Sequence, residues 1–210
     1  EVALREQPGV RDAVALVDAG PDGRARLLGF VVPERAALQV AGELSTLESQ
    51  QADTRRAVYD ESHWNRGQGD DRAFNITGWN TSHHQQPIAE AAMRQWRDRT
   101  VERIRGLGAR RVWEIGCGSG LLLLALAPAG VRYLGADFSA NTLAELGETV
   151  AGLGLAQVQL AVREGDDPRP PPGGPFDLVI LNSVVQYFPG VDYLSRVLAV
   201  AARAVRPGGA

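Results

Sequence analysis

Arg111-Val112-Trp113-Glu114-Ile115-Gly116-Cys117-Gly118-Ser119-Gly120 runs from an apolar segment straight into three glycines at alternate positions, and Leu121 to Ala127 follows as an apolar helix. Strand, glycine-rich turn and helix in that order form the unit from which open parallel sheets are wound. The alternation continues downstream. Val131 to Asp137 predicts a second strand and Ala140 to Leu153 a second helix. Val158 to Val162 predicts a shorter strand, and beyond the Pro-rich loop Asp167 to Pro175 another strand spans Phe176 to Asn182. Tyr193 to Val205 has helical periodicity and stops at Pro207-Gly208-Gly209. The expected fold is α/β, a Rossmann-like, mostly parallel sheet with its ligand site at the carboxyl edge of the strands. A further strand is expected after Ala210, so the C-terminal strands are missing and the chain reads as a piece of a longer polypeptide.

Upstream of this core the pattern changes. Glu1 to Gln7 reads as the tail of a helix closed by Pro8-Gly9, and Val10 to Asp18 with Arg26 to Pro33 reads as a hairpin around Gly20-Pro21-Asp22-Gly23. A helix and a hairpin hold too little apolar material to stand by themselves, so residues 1–33 are expected to be a small α+β fragment or a docked appendage. Residues 34–57 read as a polar linker. Residues 63–87 carry aromatics and amides without periodicity, and such a long irregular stretch in a compact protein is more often functional than filler. From Ile88 to Leu107, Met93, Trp96, Val101, Ile104 and Leu107 recur at helical spacing.

Composition removes several classes. In 210 residues, 44% hydrophobic and 22% charged, there is material for one substantial core and a smaller piece. A net charge of -3 argues against nucleic acid or an anionic membrane as partner. All 22 cationic residues are arginine, which excludes phosphate-loop NTPases, protein kinases and pyridoxal-phosphate enzymes, each dependent on a lysine. One cysteine and three histidines give neither an internal disulfide nor a structural zinc set, so no metal is expected. With no 18-residue apolar run and no basic leader, the expected location is soluble and cytoplasmic.

The glycine turn narrows the ligand. A pyrophosphate fingerprint is G-x-G-x-x-G, whereas Gly116, Gly118 and Gly120 give G-x-G-x-G with Glu114 two residues ahead. A carboxylate there would repel a pyrophosphate and suit a cationic amino group, which favours S-adenosyl-L-methionine over a dinucleotide. Asp137, at the end of the second predicted strand, can accept both ribose hydroxyls; it can also serve the start of the helix after Ser139. Asp166, in Glu164-Gly165-Asp166-Asp167 after the third strand, can accept the adenine amino group; the choice between Asp166 and Asp167 stays open.

Taken with Gly135-Ala136-Asp137-Phe138-Ser139 and Leu181-Asn182-Ser183-Val184-Val185-Gln186-Tyr187-Phe188-Pro189, the segment Glu114 to Gly120 resembles the methyltransferase domains embedded in nonribosomal peptide synthetases. Gly78-Trp79-Asn80, Pro87-Ile88 and the Met93 to Trp96 helix match that family's cap region. The first 33 residues are similar to the C-terminal subdomain of an amino-acid adenylation domain, which such a methyltransferase sometimes interrupts. The resemblance implies a methyltransferase domain over 58–210, with a cap region 58–107 and a cofactor core 108–210. It also implies that Glu114, Gly116, Gly118 and Gly120 cradle the methionyl part of S-adenosyl-L-methionine, Asp137 the ribose and Asp166 the adenine, with Cys117 and Phe138 also in the cofactor site. Asn182 would hold the methionyl ammonium at the sheet edge. The chain departs from the family at Thr81-Ser82-His83-His84-Gln85-Gln86, where a Ser-Tyr-Thr-like stretch is usual.

The implied reaction is methyl transfer to an aminoacyl thioester on the phosphopantetheine arm of a carrier protein, in the biosynthesis of peptide antibiotics. Backbone N-methylation is expected ahead of side-chain O-methylation. Gln186, Tyr187, Asn80 and His83 are the candidates for orienting the acceptor, and Tyr187, Phe188 and Trp79 could face the sulfonium. Implied partners are the aminoacyl-carrier protein, the remainder of the adenylation domain in the same polypeptide, and a small accessory protein of adenylation domains. A nicotinamide oxidoreductase and a catalytically silent structural insert stand as alternatives.

Overall fold

The computed structural model describes residues 1–19, 25–34, 73–76, 79–81 and 86–210. The chain divides into two compact units, Glu1–Gln51 and Ala52–Ala210.

In the first unit, helix α1 (Val2–Arg5) leads into strand β1 (Val10–Ala19), which pairs antiparallel with β2 (Ala25–Pro33). Arg5 ties the helix to the hairpin: its Nε donates to Asp12 Oδ1 and its Nη2 to the Ala13 carbonyl, each at 2.9 Å. Ala13 is the buried residue here. Leu16 and Val17, on opposite faces of β1, are 53% and 75% exposed. Among the described residues of the hairpin, apolar side chains are thus open on both faces.

The second unit carries α2 (Glu90–Gly106), β3 (Arg111–Ile115), α3 (Leu123–Leu126), β4 (Arg132–Asp137), α4 (Ala140–Gly152), β5 (Val158–Val162), β6 (Leu178–Leu181) and α5 (Val191–Ala204). The four strands form a parallel sheet in the order β5-β4-β3-β6. The chain therefore winds outward from β3 through β4 to β5, then crosses to the other side of β3. Such a reversal opens a crevice at the carboxyl ends of the strands.

Alternation along β3 separates two cores. Val112 faces a cluster with Val101 of α2, Leu123 and Leu126 of α3, and Leu143, Leu146 and Val150 of α4. Trp113 and Ile115 face the opposite cluster, with Phe176 and with Val197, Val200 and Ala204 of α5. Both faces are covered, which is why the central strands read as nearly continuous apolar runs.

The predicted elements stand, with shifted ends. The helix expected over Leu121 to Ala127 is reduced to Leu123–Leu126 and continues as a 3-10 turn over Ala127–Ala129. Pro128 has no N–H for the α-helical ladder, and Gly130 at φ +80° ends the turn. The last strand is shorter than Phe176 to Asn182, and Asp177 just ahead of it ties it to β3. The Asp177 carboxylate accepts from the backbone N–H of Arg110 at 2.7 Å and of Arg111 at 2.9 Å, and it pairs with Arg206. Ala210 exchanges backbone hydrogen bonds with Asp177 and Val179 at the outer side of β6. Among the described residues, no helix is long and apolar enough to cross a membrane.

Gly135 in β4 sits where a side chain has no room: an added Cβ would lie 2.7 Å from Leu123 Cδ1 and 3.1 Å from both Cys117 Sγ and Leu160 Cδ2. Gly135→Ala is expected to destabilise the second unit by about 1–3 kcal/mol through overpacking, read as a lower midpoint in urea at unchanged slope.

Candidate active site

The loops that leave the carboxyl ends of β3, β4, β5 and β6 enclose a cavity of about 170 Å³. Gly116 lines it from the first loop, Asp137 and Phe138 from the second, Arg163, Glu164 and Gly165 from the third, and Ser183 and Val184 from the fourth. Tyr187, Phe188 and Tyr193 close the far wall.

The glycine turn is fixed by its neighbours. The N–H groups of Gly116 and Cys117 both donate to the Ala136 carbonyl, at 2.8 and 3.0 Å. Gly116 has φ +73°, and a Cβ on it would stand 2.5 Å from Val184 Cγ2. Only glycine lets the first loop lie against the fourth at this point. Asp137 holds the other end of the turn: Oδ2 accepts from Gly118 N–H at 2.9 Å and Oδ1 from Ser139 N–H at 3.0 Å. Ser139 also caps α4, accepting from Thr142 N–H. The N-cap of α4 is thus Ser139 rather than Asp137, which lines the cavity and holds the capping residue's N–H.

Glu114 lies apart from the cavity. It shares the face of β3 that carries Val112, is 3% exposed, and accepts a hydrogen bond from the Tyr133 hydroxyl at 2.9 Å. Burial is the main cause that pushes its pKa up to about 8; Asp137 adds to the rise and the Tyr133 bond opposes it. The acid is therefore mostly uncharged at neutral pH. Burial likewise pushes the Cys117 thiol up, so it stays protonated between the turn and β4.

The two acids after β5 face an adjoining groove. Asp166 accepts from Arg196 Nε at 2.9 Å. Asp167 is gripped by Arg169 at 2.6 Å, which holds its carboxyl well below the usual carboxylate range, and Arg163 stands 3.7 Å away. The residues after β5 that line the cavity itself are Arg163, Glu164 and Gly165. Sequence reasoning missed Arg163, whose side chain is 7% exposed and whose Nε is buried without a hydrogen-bond partner. The signal available was a cation placed directly after a short strand. It also missed Tyr193, whose hydroxyl accepts from Gly165 N–H at 3.2 Å and whose ring meets Phe188 edge-on at 4.9 Å.

The acceptor candidates are dispersed. Tyr187 lines the cavity and is 57% exposed. Asn182 and Gln186 are turned to their own loop: Asn182 Nδ2 donates to Ser183 Oγ at 3.3 Å, and Gln186 Nε2 to the Ser183 carbonyl at 2.9 Å. Asn80 is exposed and pairs by backbone with Pro87, away from the cavity lining. Trp79 packs on Trp96 with ring centroids 4.9 Å apart. His83 lies outside the described residues. Among the described residues no cluster of His, Cys, Asp or Glu could hold a metal ion.

A parallel sheet in this strand order, with a glycine turn after its central strand and a carboxylate after the next, defines a Rossmann-like α/β fold. Residues 113–210 match the family model described as a methyltransferase domain. The whole chain is 39% identical to chondramide synthase cmdD of Chondromyces crocatus and covers 5% of it. Over 97% of its length it is 30% identical to the beauvericin nonribosomal cyclodepsipeptide synthetase of Beauveria bassiana, and covers 6% of that protein. The chain thus spans about a twentieth of the length of these curated relatives. Among solved structures it is similar to magnesium protoporphyrin IX methyltransferase from Synechocystis PCC 6803 with bound SAM, at TM-score 0.56 and 21% identity, over 74% of this chain and 72% of that one. Over residues 113–210 the chain thus matches the methyltransferase domain family, and its second unit has the fold of a solved methyltransferase that binds S-adenosylmethionine.

The native state binds the Glu114 proton more tightly than an unfolded chain, whose carboxyl has the ordinary value of 4.5. Stability from this group is therefore complete below that value and is lost as pH rises toward about 8. Glu114→Gln keeps the oxygen that Tyr133 bonds and carries no proton to lose. Between pH 6 and 9 the native protein should lose roughly 2–3 kcal/mol that the variant keeps, measured by denaturant titration at each pH.

Proposed function

We propose that this chain is a section of a nonribosomal peptide synthetase in which an adenylation domain, represented by residues 1–33, is interrupted by a methyltransferase domain over 58–210, with 34–57 as linker. The observation that carries the reading is the match of the entire chain, hairpin unit and methyltransferase together, to one synthetase at 39% identity. The domain would methylate the α-amine of an aminoacyl group tethered as a thioester to a carrier protein. Its partners would be that carrier protein, the rest of the adenylation domain and the small accessory protein of such domains.

The cavity suits S-adenosylmethionine. Its wall is largely apolar and aromatic, and Asp137 stands at the strand end. A carboxylate has about four lone-pair sites, and the Gly118 and Ser139 amides take two of them. We read this carboxylate, placed in the cavity wall at the end of β4, as the acceptor of the ribose hydroxyls. When bound, the cofactor supplies an electrophilic methyl group on a sulfonium.

The chain's own residues then align and dry the site. Tyr187, Phe188 and Tyr193 line the cavity with aromatic rings, and a ring face against a cation would be worth about 0.5–2 kcal/mol when desolvated. Orientation of two reactants contributes on the order of 7–11 kcal/mol. An α-amine with a pKa near ~8 is already partly neutral at pH 7, so a strong general base is not required.

S-adenosylhomocysteine at a hundred times its Kd should stabilise the protein by about 2.7 kcal/mol in thermal melts, with no shift from NAD. Incubation with S-adenosylmethionine and aminoacyl-carrier protein should add one methyl to the aminoacyl group, located on nitrogen by fragment mass spectra; an O-methyl product would refute the amine reading. Asp137→Ala should weaken S-adenosylhomocysteine at least tenfold in calorimetry and also lower the melting temperature, because two amides lose their acceptor. Unchanged affinity would remove Asp137 from the ribose site.

A further inference from the structure

Ser183 is the exception in the backbone. Among the described residues every other left-handed position is a glycine, yet Ser183 has φ +53°. A glycine adopts this conformation without strain, whereas a side chain there is strained. The conformation is held from several directions. Gln186 Nε2 donates to the Ser183 carbonyl at 2.9 Å, Asn182 Nδ2 donates to Ser183 Oγ at 3.3 Å, and the adjoining Val184 packs against Gly116.

A turn that needed only its shape would be served better by glycine. What the serine adds is a hydroxyl, on a residue that lines the cavity two residues past β6, next to Val184, which abuts the glycine turn. A hydroxyl oxygen carries two lone pairs. Asn182 occupies one, which leaves the other for an N–H inside the cavity.

We propose that the Ser183 hydroxyl is a catalytic group that contacts the methyl acceptor: its oxygen takes a hydrogen bond from the acceptor amine and so turns the nitrogen lone pair toward the methyl carbon. Asn182 and Gln186 act as positioning residues for it. The inference rests on the amine reading given above. In the step, the nitrogen lone pair forms the new N–C bond while the methyl–sulfur bond breaks with its electron pair left on sulfur, giving a neutral thioether. The nitrogen becomes an ammonium, and the proton it sheds passes to water after release. As positive charge grows on nitrogen its N–H becomes more acidic, so the bond to Oγ is stronger in the transition state than in the ground state. An interaction of that kind raises kcat rather than binding.

The test uses Ser183→Gly, which relieves the strained backbone, and Ser183→Ala, which keeps the Cβ and removes the oxygen. Both are assayed with S-adenosylmethionine and an aminoacyl-carrier protein. Ser183→Gly should melt at or above the temperature of the unsubstituted protein and bind S-adenosylhomocysteine within twofold of it. For both variants kcat should fall at least tenfold with KM for the aminoacyl-carrier little changed. Activity within twofold of the unsubstituted protein overturns the role of Ser183 while leaving methyl transfer intact, and so does a loss that tracks weaker S-adenosylhomocysteine binding. An unsubstituted protein that binds S-adenosylhomocysteine and leaves the aminoacyl group unmethylated overturns the proposed function and this inference together.

Discussion

The Asp137 carboxylate is the constraint around which the second unit is organised. A glycine turn directs backbone N–H groups away from any helix or strand partner, and each needs an acceptor. Asp137 supplies one to Gly118 and, through its second oxygen, one to Ser139 at the start of α4. A single side chain therefore joins the loop after β3 to the helix after β4 and sets the distance between them. It can do so only because β4 lies next to β3 in the sheet, in the register that places Ala136 opposite Ile115.

Burial then sorts the acids by role. Glu114, on the side of the sheet away from the cavity, is uncharged at neutral pH and gives the turn a hydrogen-bonded floor with Tyr133. Asp166 and Asp167 meet arginines in the neighbouring groove. Arg163, stacked 5.5 Å from the Trp113 ring, closes the floor between cavity and groove. The formal charges that line the cavity are those of Asp137, Arg163 and Glu164, and the rest of its wall is mostly apolar or aromatic. That favours a reaction in which charge moves between nitrogen and sulfur, since low-dielectric walls strengthen any dipole aimed at it.

Much of this was legible in the sequence because it is written in local pattern. The glycine turn, the Asp137 strand end and the strand–helix alternation depend on residues close together in the chain, and the structure has them where the pattern put them. Pro128 explains the shortened α3, a local signal that the apolar run Leu121 to Ala127 outweighed. The place of Glu114 was the harder question. Proximity to the glycines suggested a ligand, but strand alternation puts it with Val112, under the core. The Asp166–Arg196 pair joins residues on β5's loop and α5, and no spacing rule reports such a contact. Ser183 was hidden for a different reason: a left-handed φ at a serine leaves no mark in composition or periodicity.

The contact between Gly116 and Val184 has a consequence for how such a domain can be repurposed. Because the turn beneath the cofactor cavity and the loop of Ser183 and Gln186 touch through a glycine with no spare volume, the two cannot drift independently over time. A bulkier residue at 184 would press on the turn before it reshaped any pocket for a new amino acid. Freedom to broaden substrate range lies instead further along the same loop, at exposed Tyr187, whose exchange would reshape the far wall of the cavity while leaving the Gly116 turn in place.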